Sequence, residues 1–256
     1  MFSRAIVRPP AATFASGITS AALGKPDLAL ALEQHALYCA ALEQCDLTVT
    51  RLPPDTDFPD STFVEDTAIV TPFIAIVTRP GAPSRQGETA SIAATLTQFY
   101  SSIHSIVAPG TVDAGDVCQV DDHFFIGISA RTNEAGARQL AAILAEEGYT
   151  YVTVDIRGIG GILHLKSGIS YLGDGRLVLI EELARHASFR DYEIVCVDRE
   201  ESYAANCLRV NDQVILAAGY PRFESAIRAF GYPVMALDVS EFRKMDGGLS
   251  CLSLRF

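Results

Sequence analysis

The sequence predicts an α/β fold in which five similar strand-and-helix units close into a pseudosymmetric ring. The same order of elements recurs along the chain: a short strand, a turn, a second strand, an amphipathic helix and a third strand. In addition, one unit is divided between the two ends of the chain. Joining those ends would close the ring and leave few exposed sheet edges. We therefore expect residues 1–256 to form a single domain.

Four complete units follow one another from residue 63 onward. The first spans 63–109 and has its helix near 88–100. The other three are interpreted as strand 117–120, strand 124–128, helix 133–147 and strand 149–154; strand 169–172, strand 177–180, helix 181–189 and strand 194–197; and strand 208–210, strand 214–217, helix 223–230 and strand 234–237. Aspartate, asparagine or glycine occupies the turn between the first two strands of each of these three, as tight hairpins require.

The fifth unit is the divided one. Residues 248–256 give a first strand with no second strand after it. At the other end of the chain, strand 4–7, helix 27–44 and strand 47–52 lack a first strand. The first 26 residues contain no acid, which superficially resembles an organellar transit peptide. We favour a strand followed by an irregular loop, because prolines and a glycine interrupt this segment.

The composition excludes several classes of protein. Of the 256 residues, 49% are hydrophobic and 20% are charged, which is typical of a globular chain and not of a disordered one. The net charge of −11 argues against a nucleic-acid partner, because phosphate contacts need clustered Lys and Arg. The longest uncharged stretch, 89–112, is about half polar or turn-forming residues, so we expect no membrane span.

The six cysteines are expected to be free thiols in a reducing, cytoplasmic compartment. They include no CxxC pair and no Cys/His cluster at zinc spacing, so we also expect no metal site. Cys251 has the most distinctive setting. Strand alternation over 250–256 puts it on the polar face, next to the flexible Gly247-Gly248. Cys196, in contrast, lies in an apolar run and is expected in the core.

The candidate functional residues lie near the beginning of each unit. They are Glu65, Asp113, His164, Asn206 and Cys251, at near-regular spacing. A closed ring brings such positions to a common axis, where it would assemble a thiol, an imidazole and acids. An imidazole paired with a thiol can act as general acid and base, and carboxylates set among aromatic residues need a cationic partner. A guanidinium meets that need, because its planar donors match carboxylates.

These residues also carry a resemblance to a known family. Over essentially its whole length the chain resembles the dimethylarginine dimethylaminohydrolases, of the small bacterial type, in the pentein or guanidino-group-modifying superfamily. The most specific segments are FPDSTFVED at 58–66, DAGD at 113–116, LHLK at 163–166 and DGGLSC at 246–251. The resemblance implies a five-fold pseudosymmetric α/β propeller, in agreement with the repeats.

Matched motif by motif, the resemblance implies a role for each of eleven residues. Cys251 is the nucleophile, His164 the general acid and base, and Asp113 the carboxylate that orients the histidine. The close bacterial pattern has Glu at position 113, so the shorter Asp side chain puts this contact in question. The implied substrate-binding residues are Ile18 in a lid, Asp60 for the amine, Phe63 against the substituted end, Glu65 and Asp66 for the guanidinium, Arg85 and Arg131 for the carboxylate, and Met245.

The implied reaction is hydrolysis of N-methylated L-arginine to L-citrulline and a methylamine without a cofactor. It proceeds through a covalent thiouronium adduct of Cys251. One alternative is arginine deiminase-like hydrolysis of unmethylated arginine or of another guanidino compound, although arginine deiminases usually carry an added helical domain. The other is a non-enzymatic binding module of the same shape, which has no need of a thiol, an imidazole and acids together. The sequence leaves open whether the protein is a monomer or a homodimer.

Overall fold

Five three-stranded sheets form the protein, and the computed structural model describes all 256 residues. The strands are β1 Arg4–Val7, β2 Thr48–Arg51, β3 Ala68–Val70, β4 Ala75–Val77, β5 Ile103–Ser105, β6 Val117–Val120, β7 His123–Ile128, β8 Thr150–Asp155, β9 Ile169–Gly173, β10 Arg176–Ile180, β11 Glu193–Val197, β12 Leu208–Val210, β13 Gln213–Ala217, β14 Val234–Leu237 and β15 Leu254–Arg255. The helices are α1 Leu28–Gln44, α2 Thr89–Leu96, α3 Glu134–Glu146, α4 Glu181–Ala184, α5 Pro221–Ala229 and α6 Ser240–Arg243.

Each sheet has the same topology. The middle strand pairs antiparallel with the strand before it and parallel with the strand after it, as in β6–β7–β8 and β9–β10–β11. The fifth sheet has the order β15–β1–β2, with Ala5 opposite Arg255 and Val49. The prediction that the two chain ends complete one unit is therefore confirmed.

The hairpins explain why the turn residues were predictable. Asp121, Asp174 and Asn211 have φ values of 52°, 55° and 54°, in the left-handed region that Asp and Asn tolerate better than most side chains. Each lies between the first two strands of its unit. Local turn chemistry thus helps to fix the register of these hairpins.

The helices cover the outside of the ring and supply much of the core. In α3, Leu140 and Leu144 are fully buried beside Phe124 of β7, and the helix begins where the side chain of Asn133 accepts a hydrogen bond from the N–H of Gly136. The N-terminus of α1 is capped in the same way by Asp27. None of the six helices combines the length and apolar character that crossing a bilayer demands.

Several predicted boundaries differ from the structure. The helix predicted at 88–100 is shorter, because α2 ends at Leu96, and a 3₁₀ segment over Pro83–Glu88 precedes it. The helix predicted at 181–189 breaks into α4 and a 3₁₀ turn, Ala187–Phe189. The predicted strand at 248–256 is mostly a 3₁₀ turn, Ser250–Leu252, followed by the two-residue β15. Short 3₁₀ turns carry weak sequence signals, so tertiary contacts decide them.

The 3₁₀ turns are the parts of the repeat that meet at the axis. One precedes the first strand of every unit: Val64–Thr67, Ala114–Asp116, Leu165–Ser167, Arg199–Ala205 and Ser250–Leu252. The turns contact their neighbours around the ring, and the fourth and fifth are joined through Asn206, whose side chain accepts a hydrogen bond from the N–H of Ser250. The repeat therefore places one short turn per unit at a common centre, and each of the candidate residues lies in or next to such a turn.

Candidate active site

A small cavity at one end of the ring axis is lined by most of the eleven residues that the family resemblance implies for the site. Its volume is about 20 Å³. The lining residues are Ile18, Asp60, Phe63, Asp66, Arg85, Arg131, Leu163, His164, Met245, Asp246, Gly247 and Cys251. Nine of the eleven predicted site residues thus line one cavity. The other two, Glu65 and Asp113, lie behind its wall.

His164 is held by a buried carboxylate. It immediately precedes the turn Leu165–Ser167, and its Nε2 lies 3.1 Å from Oδ2 of the fully buried Asp113. The other carboxylate oxygen of Asp113 accepts a hydrogen bond from the N–H of Gly81 at 2.7 Å. Aspartate at this position therefore reaches the imidazole despite being one methylene shorter than the glutamate of the bacterial pattern.

The charges around His164 favour its imidazolium form. Burial lowers the pKa of His164, but the carboxylates of Asp66, Asp116 and Asp113 outweigh that effect and raise the pKa to about 9. Asp116 also fixes the backbone here, since its Oδ1 accepts a hydrogen bond from the N–H of Leu165 at 2.9 Å. In the ligand-free protein at neutral pH, His164 is therefore a proton donor.

The thiol of Cys251 lies across the same cavity in the turn Ser250–Leu252. Burial and the nearby charges of Glu65 and Asp66 raise the pKa of Cys251 to about 12, against the smaller opposing effects of the Gly248 N–H and Lys166. The Gly248 N–H donates to the Sγ atom over 3.4 Å. The thiol is therefore protonated at neutral pH, and a cation bound beside it would favour the thiolate.

Of the adjacent acids Glu65 and Asp66, Asp66 is the one that lines the cavity. Its Oδ2 accepts a hydrogen bond from NH1 of Arg85 at 2.6 Å, and its Oδ1 accepts one from the N–H of Gly115 at 3.0 Å. Burial works against ionisation, but His164 and Arg85 lower the pKa of Asp66 below its usual value. Gly115 is required at this point, because a Cβ there would lie 2.8 Å from both Asp66 Oδ1 and His164 Nδ1.

Glu65 does not line this cavity, and its side chain is directed away from it. Its Oε1 accepts a hydrogen bond from Lys166 Nζ at 2.7 Å and its Oε2 accepts one from Ser250 Oγ at 2.6 Å, while Arg255 NH2 lies 3.5 Å away. It borders a second cavity of about 610 Å³ on the opposite side. Here the structure differs from the expectation of two carboxylates side by side in the substrate cavity. Both oxygens of Glu65 are already paired, and its influence on Cys251 is electrostatic.

The two predicted carboxylate-binding arginines differ in how far they are already engaged. Arg85 donates to Asp66, to Glu88 and to the backbone carbonyl of Phe63. Arg131 is partly exposed, and its guanidinium makes no hydrogen bond or ion pair within the chain. Arg131 therefore offers a complete planar fork to an anion, and Arg85 offers little.

The loop that carries Ile18 closes over the mouth of the cavity. The N–H of Ile18 donates to both oxygens of Asp60, at 3.0 and 3.2 Å, and Thr19 Oγ1 donates to the carbonyl of Lys244 at 2.9 Å. The Ile18 side chain is 42% exposed. Because the enclosed space is smaller than an amino-acid side chain, this loop has to move for a substrate to enter.

Phe63 and Met245 form the apolar wall of the cavity, and both are buried. The Phe63 ring packs against Phe14 and Phe242, with centroid distances of 6.1 and 6.3 Å. A Cβ at Gly247 would lie 2.2 Å from the Phe63 ring, so glycine is needed there. Apolar atoms at this end suit an alkyl-substituted group.

A metal site would have to draw on Asp66, Asp113 and His164, whose ligand atoms lie within 4.8 Å of one another. In the structure, however, His164 pairs with Asp113, and Asp66 pairs with Arg85. These cations already balance the carboxylates. With these pairings, Asp66, Asp113 and His164 are better suited to proton transfer than to binding a metal ion.

The remaining cysteines correct one prediction. Cys196 is exposed, although its apolar neighbours indicated a core position. It lies on β11, which is the last strand of its sheet. The alternate residues Val195 and Val197 face inward, so the side chain between them points to solvent. Cys39, Cys45, Cys118 and Cys207 are buried free thiols.

Comparison with known proteins identifies relatives of the same length. No family model matches the chain. The chain is 51% identical over 257 residues to the N(G),N(G)-dimethylarginine dimethylaminohydrolase of Pseudomonas aeruginosa, with 100% of both chains covered. Two solved structures are each 50% identical to the chain, with a TM-score of 0.97 and full coverage of both chains. One is a Cys-to-Ser variant of the Pseudomonas aeruginosa enzyme in complex with citrulline. The other is a His-to-Gly variant of a dimethylarginine dimethylaminohydrolase as an adduct with S-methyl-L-thiocitrulline. The chain belongs to the dimethylarginine dimethylaminohydrolase family.

Proposed function

We propose that this protein hydrolyses Nω-methylated L-arginine to L-citrulline and methylamine or dimethylamine, with Cys251 as the nucleophile. The observation that carries the proposal is the convergence of Cys251, His164 and Asp66 on one cavity at the ring axis. It is supported by the citrulline complex of the relative and by full-length similarity to a dimethylarginine dimethylaminohydrolase.

The substrate is held at both ends. Its guanidinium lies between Asp66 and the sulfur of Cys251, with the methyl groups against the ring of Phe63. Its α-amine binds Asp60 and its carboxylate binds Arg131, assisted by the N–H of Arg85 that has no partner within the chain. Charge-assisted pairs of this kind are about twice as strong as neutral hydrogen bonds. Glu65 contributes through its charge, from behind the wall.

Binding of the cation prepares the thiol for attack. A unit charge 4 Å from the sulfur favours the thiolate by about 4 kcal/mol at an effective dielectric constant near 20, which is a factor of roughly 10³ in the thiolate fraction. Before the cation binds, burial and the neighbouring carboxylates raise the pKa of the Cys251 thiol to about 12. The charge of the substrate opposes this increase. The nucleophile is thereby activated only when a cationic substrate is present.

The reaction then proceeds in two steps. When the cation binds, the Cys251 thiol loses its proton to solvent. In the first step, the thiolate sulfur bonds to the guanidinium carbon, the bond from that carbon to the methylated nitrogen breaks, and His164 donates its proton to the departing amine. In the second, the neutral His164 accepts a proton from water, the water oxygen bonds to the same carbon, and the carbon–sulfur bond breaks as the remaining hydroxyl proton passes to the sulfur, which restores the thiol and leaves neutral citrulline. Asp113 holds the imidazole in place during both steps, and Asp66 stabilises the positive charge of the thiouronium intermediate.

Turnover of three substrates tests this proposal. We expect asymmetric dimethylarginine and monomethylarginine to be converted to citrulline with kcat/KM at least tenfold above that of arginine, because the alkyl groups fill the apolar wall at Phe63 and Met245. Citrulline formation is measured for each compound under the same conditions. A preference for unmethylated arginine would overturn the assignment in favour of an arginine deiminase-like activity.

We further propose that residues 1–256 act as one catalytic domain in a reducing, cytoplasmic location, as a monomer or a homodimer. Pairing of β15 with β1 unites the two chain ends in one sheet, and the chain contains no disulfide.

A further inference from the structure

Glu88 is a buried acid that lies just outside the cavity. It ends the 3₁₀ segment Pro83–Glu88 and is only 2% exposed. Its carboxylate has one side-chain partner, Arg85, which grips both oxygens: Nε lies 3.0 Å from Oε1, and NH2 lies 2.8 Å from Oε2. An unpaired charge buried to this extent is costly, and even with Arg85 as partner burial raises the pKa of Glu88 to about 7, so Glu88 is fully ionised only above neutral pH.

The two hydrogen bonds to Glu88 fix the orientation of the Arg85 guanidinium and therefore the directions of its remaining N–H donors. A guanidinium has five N–H groups in a fixed plane. Two are used by Glu88, one on NH2 points to the Phe63 carbonyl at 3.2 Å, and one on NH1 donates to Asp66 at 2.6 Å. A single N–H on NH1 is left for a ligand in the cavity that Arg85 lines. Glu88 and Asp66 thus hold the cation from two sides.

Glu88 also balances charge at the site. Arg85 and Arg8 are the cations that act with it, and Asp60 and Asp66 are the neighbouring acids. Burial raises the pKa of Glu88, and Arg85 opposes that rise. Without the Glu88 charge, Arg85 would be compensated by Asp66, to which it donates a hydrogen bond, and by the charges of Asp113 and Asp60. Asp66 would then attract a substrate cation less strongly and stabilise the imidazolium of His164 less.

We propose that Glu88 is a positioning residue for the reaction: its charge orients Arg85 and leaves Asp66 available to the guanidinium of the substrate. This inference rests on the proposed function. It assigns to Glu88 no contact with the substrate, so the effect has to pass through Arg85 and Asp66.

Two substitutions at this position separate charge from shape. Glu88→Gln keeps the shape and removes the charge, and we expect KM to rise about 10- to 100-fold, the range of one lost charge-assisted hydrogen bond. We also expect the alkaline limb of the pH profile of kcat/KM to move to lower pH, since the uncompensated Arg85 lowers the pKa of His164. Glu88→Asp keeps the charge, but the shorter side chain weakens the two hydrogen bonds from Arg85. KM should therefore rise severalfold while the alkaline limb stays in place.

Glu201→Gln is a matched control. Glu201 is 6% exposed, lies in the 3₁₀ turn Arg199–Ala205 and accepts hydrogen bonds from the N–H of Phe223 at 2.7 Å and from Nε of Arg222 at 3.4 Å. It is a similarly buried, arginine-paired acid that does not line the cavity. We expect this variant to keep KM and the alkaline limb within twofold and a few tenths of a pH unit of the unmodified protein.

The inference is overturned if Glu88→Gln leaves KM and the alkaline limb as in the unmodified protein, or if Glu88→Asp moves that limb as far as Glu88→Gln does. If Glu88→Gln fails to fold, Glu88→Asp decides alone, and an unchanged KM contradicts the inference. Calorimetric binding of dimethylarginine to each variant, combined with Cys251→Ser, repeats the comparison without turnover. Absence of binding to Cys251→Ser itself would instead count against the proposed function.

Discussion

Replacement of Cys251 by Ser is expected to lower kcat by about 10⁴-fold or more and to leave citrulline affinity within about threefold. The reason is that a serine hydroxyl ionises much less readily than a thiol and no base in the cavity compensates, because His164 is already protonated when the substrate binds. The volume of the side chain and the contacts of the substrate with Asp66 and Arg131 are retained. Initial rates and equilibrium binding of citrulline measure the two quantities separately.

Cys196→Ser is the control for that experiment. Cys196 is exposed on β11 and does not line the cavity, so its loss should change kcat by less than twofold. If Cys251→Ser retained a tenth or more of the activity, Cys251 could not be the nucleophile.

Replacement of Asp113 by Asn is expected to move the alkaline limb of the pH–rate profile. The pKa of His164 is raised to about 9, so the imidazolium that protonates the leaving amine is present below pH 9 and is lost as the pH rises through that value. Without the Asp113 charge the pKa of His164 falls below 9, while Asp66 and Asp116 continue to raise it, and the activity should decline at correspondingly lower pH. We also expect kcat at neutral pH to fall about 10²- to 10⁴-fold, the usual contribution of an oriented acid–base group.

Asp113→Glu supplies the comparison. It restores the residue of the close bacterial pattern and keeps the charge, so the alkaline limb should remain near pH 9 and kcat should stay within about tenfold. An alkaline limb that did not move in Asp113→Asn would show that His164 does not depend on Asp113.

The ring, and the clustering of most of the expected site residues around one cavity, could be predicted because local signals carry them. The hairpin turns at Asp121 and Asn211 are encoded by residues that accept left-handed backbone, and the divided fifth unit was visible from strands that lacked a partner. The family motifs then supplied Cys251 and His164. Neither signal depends on long-range packing.

The local geometry of the site could not be predicted in the same way. Leucines alternating at 252 and 254 imitate a strand around Cys251. In the structure Asn206 accepts a hydrogen bond from the N–H of Ser250 at 2.9 Å and donates to the carbonyl of Lys166 at 2.8 Å, contacts that tie neighbouring turns together around the axis. Only the closed ring brings these atoms together, so a local pattern could not show the turn.

The ion pairs formed across the axis could not be predicted from the sequence either, because their partners are far apart in the chain. Glu65 and Asp66 are adjacent in sequence, yet one pairs with Lys166 and the other with Arg85, in different parts of the wall. Glu88 lies in a short polar segment that is typical of a solvated surface, and only its two contacts with Arg85 reveal a buried acid.

The central claim, a covalent thiouronium intermediate on Cys251, is tested most directly by acid quenching during turnover, followed by mass spectrometry of the peptide that contains this residue. Asymmetric dimethylarginine and monomethylarginine should give the same adduct mass on Cys251, because each loses its methylated nitrogen before the quench and both leave an identical group on sulfur. An adduct on another residue, or masses that differ between the two substrates by a methyl group, would contradict the mechanism.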